Sequence, residues 1–98
     1  MSYQERVEEV KGKAAKNKIM LYGLSACVWC EKAKEFLGEL GINYSYLTLD
    51  LLDDADQGAA FAAVAKYNPD QSFPTIVIDY GKKVIVGYNE EELKKLAE

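Results

Sequence analysis

Hydrophobic residues are concentrated in four short runs that predict β-strands. Within each run, apolar residues either alternate with polar ones or are nearly continuous. The runs cover residues 18–22, 43–50, 75–79 and 83–86. The first is almost continuously apolar, which is typical of a strand buried on both faces. In the second, we expect Tyr44 and Tyr46 on one face of the strand and Leu47 and Leu49 on the other. Tyr80-Gly81-Lys82 separates the last two runs and predicts a hairpin turn.

Apolar residues spaced three and four positions apart predict helices in the segments outside these runs. Near the N-terminus, Ser2 and Glu5 have the spacing of a capping box, and a helix is predicted from Tyr3 to about Ala15. It would form a helical extension over residues 1–16. The other three helices are predicted from Cys30 to Gly41, from Asp53 to Asn68, and from Asn89 into the C-terminal residues.

The order of these elements, a helix followed by β-α-β-α-β-β-α, predicts the fold class. Two crossover units followed by a hairpin give an α/β protein with a mixed four-stranded sheet and helices on both faces. This is the arrangement of the thioredoxin fold. We expect residues 1–98 to form a single domain with one core, because a chain of this length can bury enough apolar surface to fold alone.

Composition and charge narrow the classes of function. The net charge is −4 and the lysines are mostly scattered, which disfavours nucleic acid as a partner. The apolar runs are far shorter than the roughly 20 residues of a membrane span. Residues 1–6 lack the basic segment and apolar core of a secretory signal. We therefore expect a soluble, monomeric, cytoplasmic protein, in which a cysteine pair would cycle between dithiol and disulfide.

Both cysteines of the chain lie where the first predicted strand gives way to a helix. Cys27 and Cys30 are three positions apart, so in a helix they share one face and can form a disulfide. Cys27 is nearer to the helix start, where unpaired backbone N–H groups and the helix dipole favour an anion. A thiolate is such an anion and is the nucleophile in disulfide exchange. This assigns Cys27 as the nucleophile and Cys30 as the resolving thiol.

A cysteine pair can also bind a metal, form a structural disulfide or remain inert. A zinc site would need ligands from elsewhere, since the chain has no other cysteine and no histidine, and we expect no metal. A purely structural disulfide would close too short a loop to constrain the unfolded chain much. Two inert buried thiols are the remaining alternative. A Cys-x-x-Cys at a strand-to-helix junction favours redox chemistry.

Three motifs, taken in order, resemble those of the glutaredoxin family over residues 18–98. They are the Cys-x-x-Cys after Tyr22, the segment 72–75 in place of a Thr-Val-Pro turn, and the segment 87–89 in place of a Gly-Gly-Asp-type turn. The resemblance implies a cis peptide at Phe73-Pro74 beside the cysteines. It also implies that the backbone of Phe73 pairs with a bound peptide or with glutathione.

Seven residues are the candidates for substrate contact: Val28, Trp29, Phe73, Pro74, Gly87, Tyr88 and Asn89. Trp29 flanks a reactive thiol on the first helical turn and is expected to be an exposed anchor for partners. Val28 is expected to be half-buried. Phe73 is expected to join Trp29 and Tyr88 in an exposed aromatic patch, with a position in the core as its alternative.

Two departures from the glutathione-using members bear on the electron donor. Leu24 occupies a position where many of them carry a lysine, and Tyr88 stands where they carry a second glycine. The Cys-Val-x-Cys sequence and the Gly-aromatic turn look more like glutaredoxin-like redoxins that reduce ribonucleotide reductase with electrons from a protein reductase. We therefore predict protein disulfides as substrates and a protein disulfide reductase as partner, with glutathione as the other donor and no bound cofactor.

Two alternatives from other functional classes stay open at this point. In the first, Cys27 of two chains would bridge an iron-sulfur cluster with the help of small thiols, as in some glutaredoxins. In the second, the chain would be a thioredoxin-fold interaction module in which the cysteines have no catalytic role.

Overall fold

The structure, a computed structural model, describes residues 6–12 and 17–97. Within these ranges the strands are β1 (Glu8–Val10), β2 (Ile19–Gly23), β3 (Tyr44–Thr48), β4 (Thr75–Ile78) and β5 (Lys83–Val86). The α-helices are α1 (Val28–Glu39), α2 (Asp54–Tyr67) and α3 (Glu90–Lys95). Short 3-10 turns follow β3 at Leu49–Leu51 and β4 at Asp79–Gly81. None of the helices described here is long and apolar enough to cross a membrane.

The strands form one mixed sheet in the order β1-β3-β2-β4-β5. β2 and β3 are parallel and are connected through α1. The remaining neighbours are antiparallel, and β4 and β5 form the predicted hairpin. This topology confirms the predicted α/β thioredoxin-type fold.

The N-terminal segment corrects the prediction of an extra helix. Residues 8–10 form a fifth strand, β1, which pairs with β3 so that Glu8 lies opposite Tyr46 and Val10 opposite Tyr44. Val7 and Val10 share a face in a helix, whereas in extended chain a spacing of three places them on opposite faces. Val10 accordingly packs on one core cluster and Val7 on the other. The rest of the predicted helix, residues 1–5 and 13–16, lies outside the described residues.

Two hydrophobic clusters fill the two faces of the sheet. On one face, strand residues such as Leu21 and Ile76 pack against α1 through Leu37 and against α3 through Leu93. On the other face, α2 packs through Val64 and its neighbour Ala60 onto the second cluster. The helices thus cover both faces, as predicted, with α1 and α3 together and α2 alone.

The residues at which the sequence predicts the helices to begin or end include three that serve as helix caps or flank them. Gly41 has a φ of +71° just after α1, and the N–H of Ile42 donates to the carbonyl of Leu37 at 3.2 Å. This is the hydrogen bond of a Schellman motif, in which glycine accepts the left-handed conformation at least cost. Asn89 caps α3 by accepting from the N–H of Glu92 at 3.1 Å. Asp53 caps α2 in the same way.

Candidate active site

The cysteine pair lies at the start of α1, directly after β2. Cys27 is the N-cap residue, and its Sγ accepts a hydrogen bond from the N–H of Cys30 at 3.1 Å. The two side chains are joined as a disulfide, with their Cα atoms 5.2 Å apart. Cys27 is half-buried, whereas Cys30 is 1% exposed. The pair therefore has one sulfur that solvent and partners can reach and one that they cannot.

The turn that carries Cys27 is tied to the end of β3. The N–H of Ser25 donates to Asp50 Oδ1 at 2.8 Å, and the Ser25 hydroxyl donates to Oδ2 of the same carboxylate. The hydroxyl and then the N–H hold the pKa of the Asp50 carboxyl below its usual value. From the sequence, Asp50 is predicted only to end a strand. A carboxylate at the carboxyl end of a strand parallel to β2 was the signal that could have found this contact.

Gly23, the last residue of β2, packs directly against the side chain of Cys30. A Cβ atom at this position would lie 3.1 Å from the Sγ and 3.2 Å from the Cβ of Cys30. Both distances are shorter than ordinary van der Waals contacts between carbon or sulfur atoms. The glycine that ends the strand therefore also permits the buried position of Cys30, a role that its place in the sequence does not reveal.

The Phe73-Pro74 peptide bond is cis, as the family resemblance implied. Tyr22 pairs with Thr75 across β2 and β4, so the loop before Thr75 lies beside the turn that follows β2. Pro74 is fully buried, and its carbonyl accepts from the N–H of Gly87 at 2.8 Å. The cis-proline loop and the cysteine turn are thus neighbours at one end of the sheet.

Phe73 has a different neighbour from the expected one. Its ring is half-buried and packs edge-to-face on Phe61 of α2, with centroids 5.9 Å apart. These rings belong to the α2 face of the sheet, whereas Tyr88 belongs to the face covered by α1 and α3. The structure therefore places Phe73 in its alternative position against a core cluster instead of in a patch with Trp29.

The loop between α2 and β4 is organised by a buried side chain, Asn68, which is 5% exposed. Its amide donates to the carbonyl of Ser72 at 3.1 Å and to the Thr75 hydroxyl at 3.1 Å. Its Oδ1 accepts from the N–H of Asp70 at 3.2 Å. Asn68 thereby fixes both ends of the segment that holds Phe73 and Pro74. From the sequence, Asn68 is predicted only to end a helix.

Trp29 and Tyr88 meet on the surface next to the cysteines. Trp29 is 55% exposed and stacks on Tyr88 with centroids 5.8 Å apart, and Phe36 meets the Tyr88 ring edge-on at 6.2 Å. The positive φ of Gly87, +82°, directs the chain from β5 toward this contact. The position of Trp29 agrees with the predicted exposure, and Asn89 serves as the cap of α3.

Val28 corrects the expectation of partial burial, because it is 66% exposed. It occupies the first position of α1, where Cys30 and Ala33 take the buried side of the helix. Val28 consequently adds an apolar side chain to the surface next to Trp29.

A thioredoxin-type sheet with a Cys-x-x-Cys pair at the start of the helix after β2, and a cis-proline loop beside it, defines a redox protein of the thioredoxin fold. The sequence model of the glutaredoxin family matches residues 19–84, and the chain belongs to that family.

Similar proteins agree with this assignment. An uncharacterized glutaredoxin-like 8.6 kDa protein in the rubredoxin operon of Clostridium pasteurianum is 31% identical over 80 residues, which is 82% of this chain and 97% of that protein. The glutaredoxin of Methanosarcina mazei Go1 has a TM-score of 0.82 at 38% identity, with 94% of this chain and 87% of that one covered. Methanoredoxin from Methanosarcina acetivorans has a TM-score of 0.81 at 38% identity, with 88% of each chain covered.

Proposed function

We propose that the protein is a thiol-disulfide oxidoreductase that reduces protein disulfides, with Cys27 as the nucleophile and Cys30 as the resolving thiol. The observation that carries the proposal is the position of Cys27 as the N-cap of α1. There its sulfur accepts the N–H of Cys30 and is partly open to solvent. A hydrogen bond to sulfur and the positive end of the helix both favour the thiolate.

The reaction transfers two electrons in two exchanges. The Cys27 thiolate attacks one sulfur of the substrate disulfide, forms a mixed disulfide, and expels the other sulfur as a thiolate, which takes a proton. The Cys30 thiol loses its proton and attacks Cys27 Sγ. This step releases the second substrate thiolate and leaves the Cys27–Cys30 disulfide. A dithiol of an external reductant then reduces that disulfide by the reverse sequence.

Phe73 and its neighbours are proposed to hold the substrate backbone beside Cys27. Neither backbone group of Phe73 forms a hydrogen bond with another residue of the ranges described above. An extended peptide could satisfy these groups in the way that a strand pairs with a sheet edge. Because Asn68 and the buried Pro74 order this segment, the pairing would require little rearrangement of the protein.

The cysteine roles are tested by two single substitutions. Cys30→Ser should accumulate a mixed disulfide between Cys27 and a protein substrate, because no second thiol can release it. Cys27→Ser should lose disulfide reduction and form no such adduct. The adducts can be counted by mass spectrometry under non-reducing conditions. Retention of the wild-type rate by Cys27→Ser would show that the roles are assigned wrongly.

The proposed electron donor is a protein disulfide reductase in preference to glutathione. Leu24 is half-buried against the second core cluster and supplies no cation for a glutathione carboxylate. Loss of one charged hydrogen bond costs about 1.5–3 kcal/mol. That cost lowers the affinity for glutathione by about 10- to 150-fold. The exposed surface of Val28 and Trp29 offers a protein donor apolar area to bury instead.

The donor is tested by comparing the rates at which millimolar glutathione and candidate reductases reduce the Cys27–Cys30 disulfide. We expect slow reduction by glutathione, accelerated in a Leu24→Lys, Tyr88→Gly variant. Leu51→Lys is the matched control, since Leu51 is 64% exposed in the turn after β3 and gains the same charge. Efficient turnover of the wild-type protein with glutathione alone would contradict the proposed donor.

A further inference from the structure

The surface next to the cysteines combines stacked aromatic rings with acidic side chains. Trp29 and Tyr88 stack on each other, Glu90 follows Tyr88 by two residues, and Glu35 and Glu39 lie on α1, the helix whose side chains contact the Tyr88 ring. We name these five residues the acidic aromatic face. Glu35 and Glu39 are one helical turn apart on the exposed side of α1, and Glu90 begins α3.

The carboxylates of the acidic aromatic face are not neutralised by the lysines described in the structure. Glu35, Glu39 and Glu90 take part in none of the ion pairs found among residues 6–12 and 17–97. Glu31 and Glu92, by contrast, are paired with lysines. The face therefore keeps its negative charge.

One cation approaches the same surface. The ammonium of Lys32 lies 5.5 Å from the centre of the Trp29 ring. In the part of the chain that the structure describes, Lys32 is the one cation found over a ring of the acidic aromatic face, which carries three carboxylates and is therefore negative on balance.

The carboxylates act electrostatically on Tyr88. Partial burial, then Glu90 through its charge and a hydrogen bond, and then the charges of Glu39 and Glu35 hold the pKa of Tyr88 above its usual value. Charges on a protein surface influence one another over roughly 8 Å at physiological ionic strength. A partner that stacks on Trp29 or Tyr88 would therefore bring its own charges within reach of all three carboxylates.

We propose that the acidic aromatic face receives disulfide proteins whose docking surface carries lysine or arginine side chains around an apolar centre. The inference rests on the proposed function and adds the charge class of the partner. Burial of Trp29 against the partner supplies affinity, and opposite charges increase the rate of encounter. An acidic partner surface, and glutathione with its two carboxylates, would be repelled by the same charges.

The test uses three peptides of equal length, each with one central cysteine in a mixed disulfide with thionitrobenzoate. The cysteine is flanked by lysines, by glutamates or by serines. The reduced protein attacks the peptide sulfur and releases thionitrobenzoate, which is measured by absorbance, and Cys30 then frees the peptide thiol. For each protein, the rates with the lysine and glutamate peptides are divided by the rate with the serine peptide. The same ratios are measured for the reaction of the three peptides with a small neutral thiol, and they give the intrinsic reactivity of the peptides.

For the wild-type protein we expect the lysine peptide to react about tenfold faster than the glutamate peptide at about 20 mM salt. The preference should largely disappear at about 500 mM salt. The variant Glu35→Gln, Glu39→Gln, Glu90→Gln should lose most of it. The matched control Glu8→Gln, Glu9→Gln, Asp54→Asn changes the net charge equally at exposed positions of β1 and α2 and should keep it.

Each result either supports or overturns the inference. Equal preferences in the two triple variants, or no preference beyond that of the small thiol, would overturn it. If neutralising Glu90 unfolds α3, the variant Glu35→Gln, Glu39→Gln decides the question alone. A serine peptide that the wild-type protein does not reduce would instead contradict the proposed function.

Discussion

At the scale of single residues, several contacts hold the cysteine turn in place. Asp50 binds the N–H and the hydroxyl of Ser25, two residues before Cys27. Gly23 leaves space for Cys30, and the N–H of Cys30 reaches the sulfur of Cys27. Cys27, the proposed nucleophile, is therefore positioned by residues that take no part in the proposed exchange.

The Asp50 contact predicts a pH dependence of stability. The folded protein lowers the pKa of this carboxyl below its usual value of about 3.9, so folding stabilises the ionised form. That stabilisation is complete above the usual value and is lost as the pH falls through the lower folded value. Asp50→Asn should thus be less stable than wild type near neutral pH, by about 1 kcal/mol, as expected for an exposed charged hydrogen bond.

The difference should shrink as the pH approaches 3 and below. Urea unfolding of both proteins between about pH 7 and pH 2.5 measures it. Asp54→Asn, an exposed carboxylate at the start of α2, is the control. A difference between wild type and Asp50→Asn that stays constant down to the lowest pH would contradict the assignment.

At the scale of elements, two connections bring the site together. The cysteine turn joins β2 to α1, and the cis-proline loop joins α2 to β4. Because β2 and β4 are antiparallel neighbours, the end of one lies beside the start of the other. The loop keeps its shape through Asn68, whose amide donates to Ser72 and Thr75.

Asn68→Asp is predicted to destabilise the protein and to raise KM for peptide disulfides. A carboxylate has nearly the same shape but, when ionised, donates no hydrogen bond. The carbonyl of Ser72 and the hydroxyl of Thr75 would therefore lose the donor that the amide of Asn68 supplies. Leaving buried polar groups unsatisfied should cost about 1–3 kcal/mol, or more for a buried charge. Urea unfolding and steady-state kinetics measure the two effects.

Gln71→Glu makes the same amide-to-acid change at an exposed position of the same loop and is the control. We expect it to stay within about 0.5 kcal/mol of wild type. Equal stability of the two variants would show that the hydrogen bonds of Asn68 do not organise the loop.

At the scale of the whole molecule, stability depends on helices packed on both faces of the sheet. α3 is only six residues long, yet it carries Glu90, one of the three carboxylates of the acidic aromatic face. Isolated helices of this length are not stable in water, so α3 requires its packing against the sheet. Leu93 is 0% exposed and Leu96 is 6% exposed, and both belong to the first core cluster.

Leu93→Ala is predicted to lower the free energy of unfolding by about 2–5 kcal/mol, because it leaves a cavity in a fully packed site. Leu51→Ala removes the same atoms from a side chain that is 64% exposed. It should change the free energy of unfolding by about 0.5 kcal/mol or less. Urea unfolding monitored by circular dichroism compares the two variants. Similar losses would contradict the assigned packing of α3.

The central elements could be predicted from the sequence because their signals are local. Hydrophobic periodicity identified β2, α1, α2 and the β4-β5 hairpin, since the period of a side-chain pattern reflects the local backbone. The cap residues Gly41, Asp53 and Asn89 likewise act within one helical turn. The cysteine pair is also local, because a spacing of three at a helix start is enough to bring Cys27 and Cys30 together.

Only the tertiary structure decided contacts between residues far apart in the chain. The spacing of Val7 and Val10 is compatible with a helix and with a strand. The segment forms the strand β1 because it pairs with the edge of β3. From the sequence, Phe73 was expected either beside Trp29 and Tyr88 or in the core. In the structure it packs on Phe61 of α2. The contact between Trp29 and Tyr88 depends on how α1 and α3 pack together. Such choices follow from burial and hydrogen bonding in the assembled fold, which local periodicity does not encode.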